Sequence, residues 1–123
     1  MYKLVALDID GTIRSISRPV SDRTRRAIDR VVEAGVTVTL ATGRMFESAR
    51  KASSELRLTT PIACFQGARL VDPISGAVLW HRTLTQDMAA DALDALDAWE
   101  VQVVAYHGDG IYVTEMTPWV EAY

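Results

Sequence analysis

Leu4-Val5-Ala6-Leu7-Asp8-Ile9-Asp10-Gly11-Thr12 is an apolar run that breaks into two carboxylates one residue apart. A nearly continuous apolar run is what a strand buried on both faces shows, and it predicts β-structure from about Lys3 to Ile9. Neighbouring side chains on a strand turn to opposite faces, so Asp8 and Asp10 point the same way and can share one pocket. In an open parallel sheet, ligands bind in the crevice beyond the carboxyl ends of the strands.

The chain that follows alternates. Ser21 reads as the N-cap of a helix with Asp22 in its first turn and Ala27, Ile28, Val31 and Val32 as its apolar stripe, ended by Gly35. A second strand covers Val36 to Ala41, and Thr42-Gly43-Arg44 turns out of it. Met45 to Leu56 then reads as a helix with Met45, Phe46, Ala49, Ala52 and Leu56 available for packing, and Pro61 to Phe65 as a third strand. This order predicts an α/β fold with right-handed crossovers and a parallel sheet covered on both faces.

After Gln66-Gly67 the pattern changes. Arg69 to Val71 and Val78 to His81 flank a turn and read as a hairpin. A helix is expected from Thr85 to about Trp99, with Met88, Ala89, Ala92, Leu93 and Leu96 inside and Asp91, Asp94 and Asp97 outside. A second hairpin about His107-Gly108-Asp109-Gly110 and the start of a helix at Thr117-Pro118 complete the chain. The boundary between two domains is placed at residues 82 and 83.

The 123 residues carry a net charge of -3, which argues against a nucleic-acid partner; Arg23, Arg25, Arg26 and Arg30 read as a solvated helix face. Cys64 is the only cysteine, so no intrachain disulfide forms, and its neighbours give it a buried place. No apolar run reaches the roughly 20 residues that cross a bilayer. A cytoplasmic location and no membrane partner are the corresponding expectations.

A carboxylate can attack a phosphoryl group and become an aspartyl phosphate, and Asp8 is placed for that. Asp10, on the same face, can protonate the leaving oxygen and later deprotonate the attacking water. Two acids facing an anionic phosphate need a divalent cation, and hard oxygen ligands favour Mg²⁺. Thr42-Gly43-Arg44 brings a hydroxyl and backbone N–H groups to a helix start in the same crevice, where they can bind phosphate oxygens. Each feature also has a plainer reading: Asp10-Gly11 as a turn, Thr42 as a helix cap.

Together, Asp8-Ile9-Asp10-Gly11-Thr12, Ala41-Thr42-Gly43-Arg44 and Phe65-Gln66-Gly67-Ala68 closely resemble the haloacid dehalogenase-like hydrolase superfamily, in particular its Cof-type phosphatases. The resemblance covers the whole chain. It implies a partial doubly wound, Rossmann-like core over residues 1–82 and the beginning of an α/β cap over residues 83–123. It implies that Asp8 is nucleophile and Mg²⁺ ligand, Asp10 general acid/base and a second ligand through its main-chain carbonyl, and Thr42, with Gly43, the phosphate binder. Arg44, Gln66 and Gly67 are candidate substrate or loop contacts, Gln66 standing where such proteins usually carry Asn.

The resemblance further implies hydrolysis of a small phosphorylated metabolite, with phosphotransferase or phosphomutase chemistry, or a non-catalytic binding module, as the alternatives. Related enzymes are about twice this length and supply a phosphate-binding lysine and more metal-binding aspartates from their second half. The chain is accordingly expected to be an N-terminal fragment, inactive alone and prone to self-association. Asp109 reads as a hairpin turn rather than a metal ligand, His81 and His107 as structural, and Trp80, Trp99 and Trp119 as packing or interface residues.

Overall fold

The computed structural model describes residues 2–15, 18–99, 101–108 and 110–121, apart from the side chain of Trp119. It divides into two compact units, Met1–Thr83 and Leu84–Tyr123. The first holds β1 (Leu4–Leu7), α1 (Asp22–Glu33), β2 (Thr37–Leu40), α2 (Phe46–Glu55), β3 (Ile62–Cys64), β4 (Arg69–Val71) and β5 (Val78–His81).

β1 and β2 pair in parallel from Leu4↔Thr37 to Leu7↔Leu40. One residue beyond β2, Ala41 forms a parallel bridge to Ala63 of β3, and β3, β4 and β5 continue antiparallel. The arrangement is therefore a parallel β1–β2–β3 portion with an antiparallel hairpin beside it. α1 begins at Ser21, whose hydroxyl accepts from the Thr24 N–H at 3.1 Å, and closes where Gly35 takes φ +79°. α2 lacks a side-chain cap and is held by its inner face, where Ala49, Ala52 and Ser53 are buried.

The core gathers Val38, Leu40, Ile62 and Cys64 from the strands and Ile9 from the turn after β1, with Ile28 of α1 and Ala49 and Ala52 of α2. Strand alternation puts those strand residues on one face of the sheet. Leu4, Ala6, Thr37 and Ala41 lie on the other face and are exposed, so among the described residues cover is one-sided rather than two-sided. The cause is topological: two successive right-handed crossovers progressing the same way across a sheet leave both helices on one face. Val32, expected in the stripe of α1, is also exposed, at the edge of the helix surface that Ile28 buries.

The second unit holds α3 (Gln86–Asp97), β6 (Val104–His107), β7 (Gly110–Val113) and α4 (Pro118–Glu121). The Thr85 hydroxyl caps α3, accepting from the Met88 N–H at 3.3 Å. No α3 residue is buried, and Met88, Leu93 and Leu96 of the expected inner face are exposed. A two-stranded hairpin of four-residue strands offers too little surface to bury three helical turns. Asp109 lies outside the described residues. Trp80 and Trp99 are exposed. Among the described residues no helix is long and apolar enough to cross a membrane.

Candidate active site

Three turns meet at the carboxyl ends of β1, β2 and β3. The parallel register sets the first two side by side: Ala41 N–H donates to the Leu7 carbonyl at 2.9 Å, and Thr42 N–H donates to the Ala63 carbonyl at 2.9 Å. Chain direction alone thus delivers Asp8–Asp10 and Thr42–Arg44 to one rim.

The first turn is anchored by Ile9, which is fully buried. Its carbonyl accepts from the N–H groups of Thr12, Ile13 and Arg14 at 3.4, 3.2 and 3.1 Å, and Gly11 supplies the required φ of +74°. With Ile9 inward, Asp8 and Asp10 are both exposed, as alternation requires. Thr12 Oγ1 donates to Asp8 Oδ2 at 3.3 Å. Asp10 is gripped from the second turn, Arg44 donating from Nε to Oδ2 at 2.6 Å and from Nη2 to Oδ1 at 2.7 Å. Arg44 Nη1 donates to Ser48 Oγ at 2.6 Å, which ties the guanidinium back to α2. The Arg44 hydrogen bonds, joined by the charges of Arg44 and Arg14, hold the Asp10 carboxyl below the ordinary aspartate range against the opposing effect of partial burial.

Thr42 is buried, and its Oγ1 accepts from the Arg44 N–H at 3.2 Å. A hydroxyl has one proton and two lone pairs, so that proton is still available to a ligand oxygen. The third turn is held to the second by Phe65 N–H on the Arg44 carbonyl at 3.0 Å and Gln66 N–H on the Thr42 carbonyl at 3.2 Å. Phe65, Gln66 and Gly67 all lie in the left-handed region, at φ +52°, +55° and +86°. For the two non-glycine residues that costs about 1–2 kcal/mol each. Cys64, immediately before them, is fully buried, and burial raises its thiol pKa.

The structure brings Asp8, Asp10, Thr42, Gly43, Arg44 and Gln66 together. Gly67 contributes conformation. Sequence reasoning missed Thr12, Ser48 and the Asp10–Arg44 pair. A faint signal existed for the first two, each a hydroxyl four residues after the charged group it meets. A separate cavity of about 500 Å³ lies at the amino ends of β2 and β3, lined among others by Asp29, Glu33, Thr37, Arg57 and Thr60. Its Arg57 is paired with Asp29 at 3.1 Å, and it sits at the end of the sheet away from the acids.

Among the described residues no group of three or more His, Cys, Asp or Glu could hold a metal ion. The Asp8 carboxylate and the Asp10 main-chain oxygen are nonetheless hard oxygen donors of the kind Mg²⁺ takes, two toward its octahedral shell. They fit in kind and supply part of the number.

A family model described as haloacid dehalogenase-like hydrolase matches residues 5–122. The 5-amino-6-(5-phospho-D-ribitylamino)uracil phosphatase YitU of Bacillus subtilis is 32% identical over 111 residues, covering 89% of this chain and 41% of that protein. The HMP-PP phosphatase of Serratia proteamaculans is 32% identical over 93 residues, covering 76% of this chain and 34% of that protein. Among solved structures, a haloacid dehalogenase-like hydrolase from B. subtilis superposes with a TM-score of 0.78 at 27% identity, over 94% of this chain and 40% of that one. The chain thus spans less than half the length of these relatives.

Proposed function

We propose, from the premise that this chain belongs to the haloacid dehalogenase-like hydrolases, that it carries the nucleophile side of a phosphatase acting on a small phosphorylated metabolite. Relatives named as phosphatases support the reaction class. The observation that carries the assignment is the parallel register of β1 and β2, which sets an exposed Asp8 beside the Thr42-Gly43 turn.

In this reading an Asp8 carboxylate oxygen attacks phosphorus, and the bond from phosphorus to the leaving oxygen breaks, giving an aspartyl phosphate. Asp10 delivers a proton to the leaving oxygen. Water then attacks phosphorus, Asp10 takes its proton, and inorganic phosphate leaves with Asp8 restored. The Thr42 hydroxyl and the Gly43 N–H bind phosphoryl oxygens as negative charge develops on them. The Asp8 carboxylate and Asp10 carbonyl would hold Mg²⁺, which when bound offsets the charge of phosphate beside two acids.

The Arg44 grip favours Asp10 as a carboxylate, the form that accepts a proton from water. Donation to the leaving oxygen requires the guanidinium to loosen. A metabolite of the cell interior is the proposed substrate class, and a cytoplasmic location belongs to the same proposal. The test is Mg²⁺-dependent phosphate release by the full-length gene product across a panel of phosphorylated metabolites. Asp8→Asn abolishes it in this reading, because an amide cannot form the acyl phosphate. Turnover that survives Asp8→Asn sinks the assignment.

A further inference from the structure

Gly43 is surrounded by an unusual constraint. It has no left-handed φ, so its backbone conformation is one that any residue adopts. What excludes a side chain there is Gln66: a Cβ on residue 43 would stand 2.2 Å from Gln66 Nε2, 2.9 Å from its Cδ and 3.3 Å from its Oε1. The carboxamide thus lies against Gly43, whose neighbours' N–H groups are already engaged, Thr42 N–H on the Ala63 carbonyl and Arg44 N–H on Thr42 Oγ1.

Three further facts bear on that carboxamide. Gln66 is exposed, so no packing requirement holds it. Its carboxamide supplies all three of the atoms nearest to the place a side chain on residue 43 would take. Its backbone is left-handed at φ +55°, and two bonds between the third and second turns hold it there, Phe65 N–H to the Arg44 carbonyl and Gln66 N–H to the Thr42 carbonyl. Strain that neighbours over-determine collects at functional positions. The neutral amide brings no charge to compete with the Arg44–Asp10 pair, and its NH₂ is a donor with two protons to place.

We propose that Gln66 Nε2 is a third donor to the phosphoryl oxygens, beside Thr42 Oγ1 and the Gly43 N–H, and that Gly43 is glycine because this amide must lie across it. The proposal rests on the phosphatase reading of the same turn. It also assigns the glutamine a positive role: its two methylenes let the amide reach over Gly43 from the third turn.

The test separates the proposal from the reading beneath it. Inorganic phosphate is titrated into the 123-residue chain while the backbone amides of Thr42 and Gly43 are followed by NMR. Gln66→Ala weakens binding about tenfold, as expected for one lost hydrogen bond to a charged group. Gln66→Glu, which replaces the donor by an anion, removes detectable binding.

Phosphate that shifts the Thr42 and Gly43 amides equally in wild type and Gln66→Ala overturns the glutamine proposal and leaves the phosphatase reading standing. No shift in the wild type overturns the glutamine proposal, and the phosphatase reading is then decided separately, by phosphate release from the full-length gene product and its Asp8→Asn variant. A thermal cycle checks the steric half without any ligand. Gly43→Ala lowers Tm by several degrees in the wild type, about the 4–8 °C that a moderate loss of stability produces in a small domain, and by much less in Gln66→Ala. Equal losses in the two backgrounds overturn the claim that Gln66 dictates glycine at position 43.

Discussion

Arg44 and Asp10 form a two-pronged pair, Nε to Oδ2 at 2.6 Å and Nη2 to Oδ1 at 2.7 Å, across two turns that the sequence separates by 34 positions. Bidentate geometry is the strong form of an arginine–carboxylate contact, and it fixes orientation as well as charge. Asp10 therefore has one preferred direction in the crevice, set from α2 through Ser48 and Arg44.

The pH dependence of this pair has a defined sign. The folded pKa of Asp10 is depressed below the unfolded value, so its stabilisation is fully present above the ordinary aspartate range and is lost as pH falls through the folded pKa. The side chain is 42% exposed, and solvent screening limits the effect to about 1 kcal/mol or less. Arg44→Leu should move the Asp10 titration upward and flatten the acid limb of a stability-versus-pH curve. An unmoved Asp10 carboxyl resonance in that variant would contradict the assignment.

Thr42 gives a split prediction. Thr42→Ala in the full-length gene product should cost about 10²-fold in turnover, the scale of a lost oxyanion donor. Thr42→Ser keeps the hydroxyl and should be mild. Equal impairment of both would assign the effect to the buried methyl group.

Gly11 and Gly43 should respond to alanine for different reasons. Gly11 has φ +74° and nothing within 4 Å of a built Cβ, so Gly11→Ala pays only the backbone cost of about 1–2 kcal/mol. Gly11→Asn should recover part of it, since Asn tolerates that conformation. Denaturant unfolding of the two variants measures the difference.

Core and open face should also separate. Leu40 is fully buried between β1 and β3, and Leu40→Ala should cost about 2–5 kcal/mol. Leu4, on the same sheet but 56% exposed, should lose under about 1 kcal/mol on the same change. Comparable losses by chemical denaturation would mean that Leu4 is covered in solution.

The alternation of apolar runs and capped helices made the first unit legible, because the Ser21 cap, Gly35 and the buried faces of β2 and α2 are all local signals. One-sided cover was not legible. Leu4 and Ala6 look as apolar as Val5 and Leu7, and only the crossover geometry decides which pair faces the helices. The same holds for α3, whose periodic apolar stripe met no surface large enough to bury it. At the site, residue types and order could be read, since Asp8, Asp10 and Thr42 carry recognisable chemistry. Pairings across turns could not, because Arg44 reaches Asp10 and Gln66 reaches Gly43 only after three strands are in register.

The parallel pairing of Leu4–Leu7 with Thr37–Leu40 also dictates an order of assembly. β4–β5 and β6–β7 are hairpins whose partners are close in sequence, and such units close within microseconds. Among the described residues β1 pairs only with β2, 30 and more positions on. It waits for the whole of α1 and β2, and the entropy of closing that loop is spent before any ladder bond repays it. During synthesis the acidic turn leaves the ribosome well before Arg44 and is completed late, when Arg44 has emerged and folded back across it.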